Sequence, residues 1–171
     1  GNYYGWGCTE PYADGETADW ATYFKHLGSD GTKESDWGTD KDPLKDYVRN
    51  VHDIDGTEWD AVHAYIGGKW HMPSMRDFDE LMSNCARTWD DTKNGHTVTG
   101  RNGNSIFIPA AKYRDGESIG DDVEDIFGVY WSSSPYPYSV DGAWLLYIDW
   151  NAFSLNWHRR YFGLLLRPVS K

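Results

Sequence analysis

Apolar residues recur at helical spacing in the middle of the chain. Met75, Phe78, Leu81, Met82 and Cys85 lie at positions i, i+3, i+6, i+7 and i+10, which places them on one face of a helix. The preceding Ser74 is a favourable N-cap, and an acidic residue three positions later completes a capping box. The pattern predicts a helix after Pro73 that continues to about residue 85.

A second helix is predicted just before this one, over residues 58–66. Thr57 and Asp60 have the spacing of a capping box in its acidic form. Gly67 and Gly68 follow and favour a helix end. The segments before residue 58 have no sustained period. We interpret NYYGWG and ATYF there as short strands or turns, and residues 29–42 as a long surface loop.

The period changes to two in the C-terminal half. Residues 97–99 and 105–108 flank GRNGN (100–104), whose Asn-Gly dipeptide predicts a hairpin. Further strands are predicted over 129–134, 143–150 and 161–169. Helices followed by strands indicate an α+β fold. At 171 residues, with no internal repeat, the chain fits one domain.

Charge narrows the classes of partner. The net charge is −11 at pH 7, which argues against nucleic acid and against an anionic membrane surface. No apolar run reaches the roughly 20 residues that span a bilayer, so we expect no direct membrane insertion. The acidic side chains are interpreted as a source of solubility, with divalent-cation binding as the alternative.

The two cysteines, Cys8 and Cys85, do not indicate whether the protein works in an oxidising or a reducing compartment. We expect Cys85 to be a buried free thiol. The first residues have the character of mid-domain sequence. We therefore expect sequence upstream of this chain, carrying any export signal or anchor.

Catalytic and metal-binding motifs are missing from the sequence. It contains no nucleophile elbow, zinc-protease string, phosphate-binding loop or dinucleotide fingerprint. His52 and His63 bracket Asp53 and Asp55, a spacing more typical of surface residues than of metal ligands. The acidic run Asp121, Asp122, Glu124 and Asp125 is interpreted as a solvated loop, with a Ca²⁺ site as the alternative. We predict a binding domain, not an enzyme, with no cofactor unless that run binds Ca²⁺.

Five segments, in order, resemble a bacterial C-type-lectin-like family, the FISUMP-type major paralogous domain. GGKWHMPSMRDFDELMSNC (67–85) is similar to its G-x-W-R-M-P-T-x-x-E-F-x-E-L segment. NGNSIFIPAAKYRDG (102–116), GVYWSSS (128–134) and AWLLYID (143–149) resemble its next three segments. RRYFGLLLRPVS (159–170) resembles its closing R-x-x-G-x-S-V-R-P-V. With the N-terminal GNYYGWG and TEPY, the resemblance covers nearly the whole chain.

This resemblance implies a C-type-lectin-like fold: two helices, a small twisted antiparallel sheet and long loops. The chain looks most like the variable proteins that retroelements diversify in phages and gut bacteria. That group implies a scaffold over 1–127 and a variable region over 128–171. It also implies an extracellular position on a bacterial surface or a phage virion, and a protein or cell-surface ligand.

Two segments of this C-terminal region have the composition of a binding surface. Residues 135–141 and 151–158 combine Tyr, Trp, Ser and Asn, and we predict that both are exposed loops. The alternative is that their aromatic residues pack inward. The predicted ligand-binding residues are Tyr136, Tyr138, Ser139, Asp141, Tyr147, Asp149, Asn151, Phe153, Ser154, Asn156, Trp157, His158, Arg160 and Tyr161. We assign the strand residues Trp131, Trp144 and Trp150 to the core.

Departures from related families limit the function. Calcium-dependent lectins carry an E-P-N or Q-P-D loop and a W-N-D strand, and this chain has neither. Formylglycine-generating enzymes need a reactive cysteine pair near the C-terminus, whereas both cysteines here lie in the first half. The leading hypothesis is a diversified ligand-binding domain. The alternatives are a fixed adhesin or glycan-binding module and, least favoured, a glycosidase that uses Asp or Glu.

Overall fold

The computed structural model describes residues 1–116, 118–119 and 126–170. The acidic run for which a Ca²⁺ site was the alternative lies outside these residues. Within them the protein mixes helices with small antiparallel sheets, which confirms the α+β class. None of the described helices is both long and apolar enough to cross a bilayer. The helices are α1 (Trp20–His26), α2 (Lys45–Asn50), α3 (Ala61–Ile66) and α4 (Met75–Asn84), with a 3-10 turn η1 (Glu34–Asp36).

Helix α4 begins where the sequence predicts. The hydroxyl of Ser74 accepts a hydrogen bond from the amide of Asp77, and a carboxylate oxygen of Asp77 accepts one from the amide of Ser74 at 2.7 Å. This reciprocal capping box satisfies two amides at the helix start. Cys85 corrects the prediction, because its backbone is extended and its free thiol is half-buried. The other free thiol, that of Cys8, is buried.

Helix α3 begins at Ala61, three residues later than predicted. Its N-cap is Asp60, whose Oδ1 accepts from the amide of His63 at 3.1 Å. The hydroxyl of Thr57 donates to the carbonyl of Ile54 and does not cap the helix. The buried Asp60 carboxylate also accepts from the amide of Met72 at 2.9 Å. It therefore joins the helix start to the segment that leads into α4.

Two predictions in the first third are wrong. The stretch ATYF lies inside α1. Residues 29–42 are not a simple surface loop, because Trp37 and Asp42 within them are buried. The indole of Trp37 packs against the rings of Tyr23 and Phe24, with centroids 5.1 Å and 4.9 Å away. These contacts fix a polar segment to α1.

In the part of the chain that the structure describes, four small antiparallel sheets accompany the helices. The predicted hairpin is confirmed as β3 and β4, and the sequence analysis missed β2, which pairs with β3. The strands are β1 (Trp70–His71), β2 (Ala86–Asp90), β3 (Gly95–Thr99), β4 (Ser105–Pro109), β5 (Arg114–Asp115), β6 (Ser118–Ile119), β7 (Phe127–Pro135), β8 (Gly142–Asp149), β9 (Phe153–Arg159) and β10 (Val169–Ser170).

The C-terminal third corrects two more predictions. Residues 151–158 are not a loop, since most of them form β9, which pairs with β8. The final strand predicted over 161–169 shrinks to the two-residue β10 and isolated bridges. Leu164 bridges to Tyr4, and Leu165 bridges to Tyr130. The last segment is therefore divided among several short pairings.

The sheet β7-β8-β9 is packed on both faces. One face contributes Trp131 and Leu145 to a large cluster that includes helices α1 and α2. The other contributes Leu146 and Ile148 to a smaller cluster against Phe78 of α4. A sheet covered on both faces carries apolar residues in nearly continuous runs. This accounts for the sequence of β8, in which both alternating sets are largely apolar.

A buried ion pair connects the end of β9 to the N-terminal third. A guanidinium nitrogen of Arg160 lies 2.5 Å from a carboxylate oxygen of Asp42, and both side chains are fully buried. The guanidinium also lies over the indole of Trp37, 4.3 Å from the ring centroid. The hydroxyl of Tyr23 accepts a further hydrogen bond from it at 3.2 Å.

We predict that Arg160→Met destabilises the protein by about 3–5 kcal/mol, because it leaves the Asp42 carboxylate buried without a countercharge. The matched control is Arg159→Met, which removes a partly exposed guanidinium paired with Asp141 and should cost less than about 1 kcal/mol. Urea denaturation measures both. Equal losses in the two variants would contradict the assignment.

Candidate functional site

The candidate residues on β8 and β9 are divided between the two faces of the sheet. Side chains alternate along a strand, and the register pairs Trp144 with Trp157 and Leu145 with Asn156. Trp144 and Trp157 therefore share one face, and Asn156 lies on the other with Tyr147. The predicted single surface is therefore divided into two, on opposite faces of the sheet.

On the first face, four rings form an aromatic cluster: Tyr136, Tyr138, Trp144 and Trp157. The ring of Tyr136 stacks on Trp157 at 4.6 Å with an 8° interplanar angle, and meets Trp144 edge-on at 5.0 Å. Tyr138 packs edge-on against Tyr136 at 5.4 Å and is 83% exposed. Offset and edge-to-face pairs are the favoured aromatic geometries. The cluster is therefore ordered, and it offers rings to solvent.

Gly142 allows the rings to approach the backbone. A Cβ atom there would lie 3.0 Å from the ring of Trp157 and 3.1 Å from the Cβ of Tyr136. A side chain at this position would push the stacked pair apart. Gly142, at the start of β8, thus permits the aromatic cluster because glycine has no side chain.

On the second face, rings enclose a cavity of about 250 Å³. Its lining includes Tyr113, Phe127, Tyr147 and His158, with Leu145 among the apolar residues. Phe127 and Tyr147 stack at 5.8 Å with a 17° interplanar angle. Tyr113 and Phe127 were not among the predicted residues, because they precede the C-terminal region. Tyr113 lies in the segment 102–116 that resembles the family, but the sequence of that segment does not indicate that Tyr113 lines a cavity.

Burial controls the charge of His158 in this cavity. Its ring packs on Phe162 at a centroid distance of 3.6 Å. Loss of hydration, followed by the nearby charge of Arg159, holds the pKa of His158 below its ordinary value of 6.5. The Nδ1 atom accepts a hydrogen bond from the amide of Arg159 at 2.9 Å. At neutral pH the ring is therefore uncharged.

Asp149 holds the turn between β8 and β9. Its Oδ1 accepts from the amides of Asn151 and Ala152, and its Oδ2 accepts from the hydroxyl of Tyr147 at 3.1 Å. Partial burial would raise the pKa of Asp149, but these backbone and hydroxyl donors hold it below its usual value. Because the turn begins here, Trp150 lies outside the sheet and is 71% exposed. Its assignment to the core is wrong.

Two of the predicted ligand-binding residues are buried. Phe153 is 7% exposed and belongs to the cluster beneath α4, and Arg160 is fully buried in its pair with Asp42. Neither side chain reaches the surface, which corrects their assignment. Trp131 is in the core as predicted, whereas Trp144 is only half-buried.

The remaining candidates lie at the surface around the two faces. Ser139 and Asp141 hydrogen-bond to each other in the turn before β8, and Arg159 bridges Asp141 to Glu34 at 3.5 Å and 3.6 Å. Tyr161 is half-buried and packs edge-on against Trp20 at 5.6 Å. Besides Tyr138 and Trp157 of the aromatic cluster, the exposed candidates are Asn151, Ser154 and Asn156.

The histidines and acids of the described residues form no group of three that could hold a metal ion. Of the residues considered for a metal site, Asp55 lies 3.8 Å from a different histidine, His71. No family model matches this chain, and neither a curated protein nor a solved structure does.

We predict that Trp150→Ala lowers the free energy of unfolding by less than about 0.5 kcal/mol, because its indole is mostly in water. Trp131→Ala should cost about 3–5 kcal/mol, because that indole is fully buried. Urea denaturation followed by far-ultraviolet circular dichroism compares them. A large loss from Trp150→Ala would show that the ring is packed.

We predict that His158 titrates below pH 6.5 in the folded protein, measured from the C2 proton by NMR and assigned with His158→Gln. A depressed pKa means that the unfolded chain binds the proton more tightly. The contribution to stability is therefore present above pH 6.5 and is lost as the pH falls through the folded-state pKa. His158→Gln should flatten this part of the profile. A value at or above 6.5 would contradict the buried, neutral state.

Proposed function

We propose that the protein is a C-type-lectin-like domain, single over 1–171, which binds a protein or cell-surface ligand through its C-terminal region. The main support is the aromatic cluster, exposed on the same two strands that wall the ring-lined cavity. Tyr and Trp provide large contact areas at a small cost in side-chain entropy. An exposed aromatic patch with adaptable polar residues beside it favours recognition.

The proposal places the ligand surface on 128–171 and the scaffold on 1–127, in line with the family resemblance. It places the domain outside the cell, on a bacterial surface or a phage virion. The net charge of −11 argues against nucleic acid as the ligand. Recognition by exposed rings and amides, with no paired nucleophile and base among the candidates, favours binding over catalysis.

The distribution of burial supports diversification at selected positions. Ser154, Asn156 and Trp157 are exposed on a strand whose backbone is paired with β8. Substitutions at such positions leave the core unchanged, so a retroelement could vary them without loss of the fold. Phe153 and Arg160, in contrast, belong to the core and would not tolerate random replacement.

A fixed adhesin or glycan-binding module is the second candidate. The observation in its favour is that Tyr136 and Trp157 are stacked on each other in an ordered pair. A preformed aromatic platform suits one ligand better than a changing series of ligands. The burial of Phe153 and Arg160, within the segment that the resemblance marks as variable, also favours a fixed sequence.

Deep sequencing of the 3′ end of the gene and its flanks in the source population distinguishes the two candidates. For a diversified protein we expect variation confined to the codons for residues 135–161, with a nearby near-copy that differs at adenines. The structure narrows this expectation: the codons for Phe153 and Arg160 should stay constant, while those for Ser154, Asn156 and Trp157 vary.

An invariant 3′ end without a near-copy would overturn diversification and leave the fixed module. Variation at Phe153 and Arg160 equal to that at the exposed positions would contradict the division between core and surface. The codons for Leu145 and Leu146, which are buried on the two faces of β8, provide an internal control.

A further inference from the structure

The cavity on the second face combines apolar walls with one free hydrogen-bond donor. Because Nδ1 of His158 accepts from the amide of Arg159 at 2.9 Å, the proton of the neutral ring is on Nε2. Among the described residues, no hydrogen bond is made by Nε2. The ring lines the cavity, so an N–H group is available beside aromatic walls.

Asn156 adds a second donor beside the cavity. Its Oδ1 accepts from the amide of Trp157 at 2.8 Å, which leaves the two N–H bonds of its amide group for another partner. Asn156 lines the cavity and is exposed. The cavity therefore offers donors, and its matching ligand group is an acceptor.

The aromatic lining, the volume and the lack of charge in the cavity favour an uncharged ring as its ligand. Tyr113, Phe127 and Tyr147 provide aromatic walls, and the volume is about 250 Å³. The neutral His158 adds no charge to these walls. The net charge of −11 on the protein works against an anionic ligand. A neutral ring with one oxygen satisfies the walls and the donors together.

We propose that this cavity receives a tyrosine side chain of the protein ligand, with the phenol oxygen accepting a hydrogen bond from Nε2 of His158. The inference rests on the proposed binding function and names the chemistry of its anchor residue. Phenylalanine would leave the donor unpaired, and the indole N–H of tryptophan would meet a donor with a donor. A pyranose would place several hydroxyls in the cavity, more than these two donor groups can pair.

The test uses p-cresol as the probe for a tyrosine side chain and toluene as its match without oxygen. Each is titrated into the full chain, and the ring signals of His158 and of Phe127, which also lines the cavity, are followed by NMR, so that variants without His158 can be measured. One hydrogen bond corresponds to about two- to tenfold in affinity. We therefore expect p-cresol to bind about two- to tenfold more tightly than toluene, and indole to bind no better than toluene.

Two variants separate the cavity from the rest of the protein. Leu145→Phe adds a ring to the cavity wall and should abolish the p-cresol response. Its control is Leu155→Phe, at a half-buried leucine on the opposite face of the same sheet, which should leave that response unchanged. Thermal denaturation shows whether each variant is folded. His158→Phe removes the donor, and the affinity ratio of p-cresol to toluene should fall to about one.

Equal affinities for p-cresol and toluene in the unaltered protein would overturn the proposal, as would no response to p-cresol. A response to a methyl glycoside in place of p-cresol would overturn it in favour of a glycan. These outcomes are independent of the population sequencing. A diversified 3′ end of the gene, together with no response of the cavity to p-cresol, would retain the proposed function and reject the tyrosine anchor.

Discussion

The buried pair of Arg160 and Asp42 is the constraint on which the C-terminal surface depends. A guanidinium without water is tolerated only with a countercharge and hydrogen-bond acceptors around it, and the N-terminal third supplies both. The segment around Asp42 is itself held by Trp37, which packs on α1. The backbone of Arg160 also accepts from the amide of Trp6 at 2.8 Å and donates to the carbonyl of Asp141 at 2.8 Å. One residue thus fixes the end of β9, the turn before β8 and the N-terminal segment relative to one another.

This arrangement explains how exposed rings can remain ordered. The aromatic cluster and the cavity lie on strands whose inner side chains are fully buried, and indole donors connect the neighbouring strand β7 to the start of the chain. Trp131 donates from its indole to the carbonyl of Tyr4, and Trp6 donates to the carbonyl of Ser132, both at 2.8 Å. Rigid strands place binding side chains more accurately than mobile loops do. In the proposed binding function, these surface residues would therefore lose little entropy on binding.

The sequence predicts the parts of the fold that local chemistry controls. The capping box at Ser74, the hairpin of β3 and β4 and the strands β7 and β8 follow from caps, turns and alternation. It also points to the correct C-terminal region for the aromatic cluster. The burial of Arg160 was not predictable, because its partner Asp42 is 118 residues away in a segment that reads as a polar loop. In β9, the apolar residues Phe153, Leu155 and Trp157 do recur at every second position, as in a strand. The polar residues between them have the composition of a loop, which obscures this two-residue period.

The division of β8 and β9 into two opposite surfaces has an evolutionary consequence. Because adjacent side chains point in opposite directions, a change of one residue in the length of β9 would turn its subsequent side chains to the other face. Side chains of β9 that now belong to the aromatic cluster would face the cavity, and those that line the cavity would face the cluster. Arg160 would lose its position opposite Asp42. Substitutions at the exposed positions carry no such penalty. The spacing between Gly142 and Arg160 is therefore under stronger constraint than the identity of most side chains between them, and in the proposed binding function new specificities should arise at constant length.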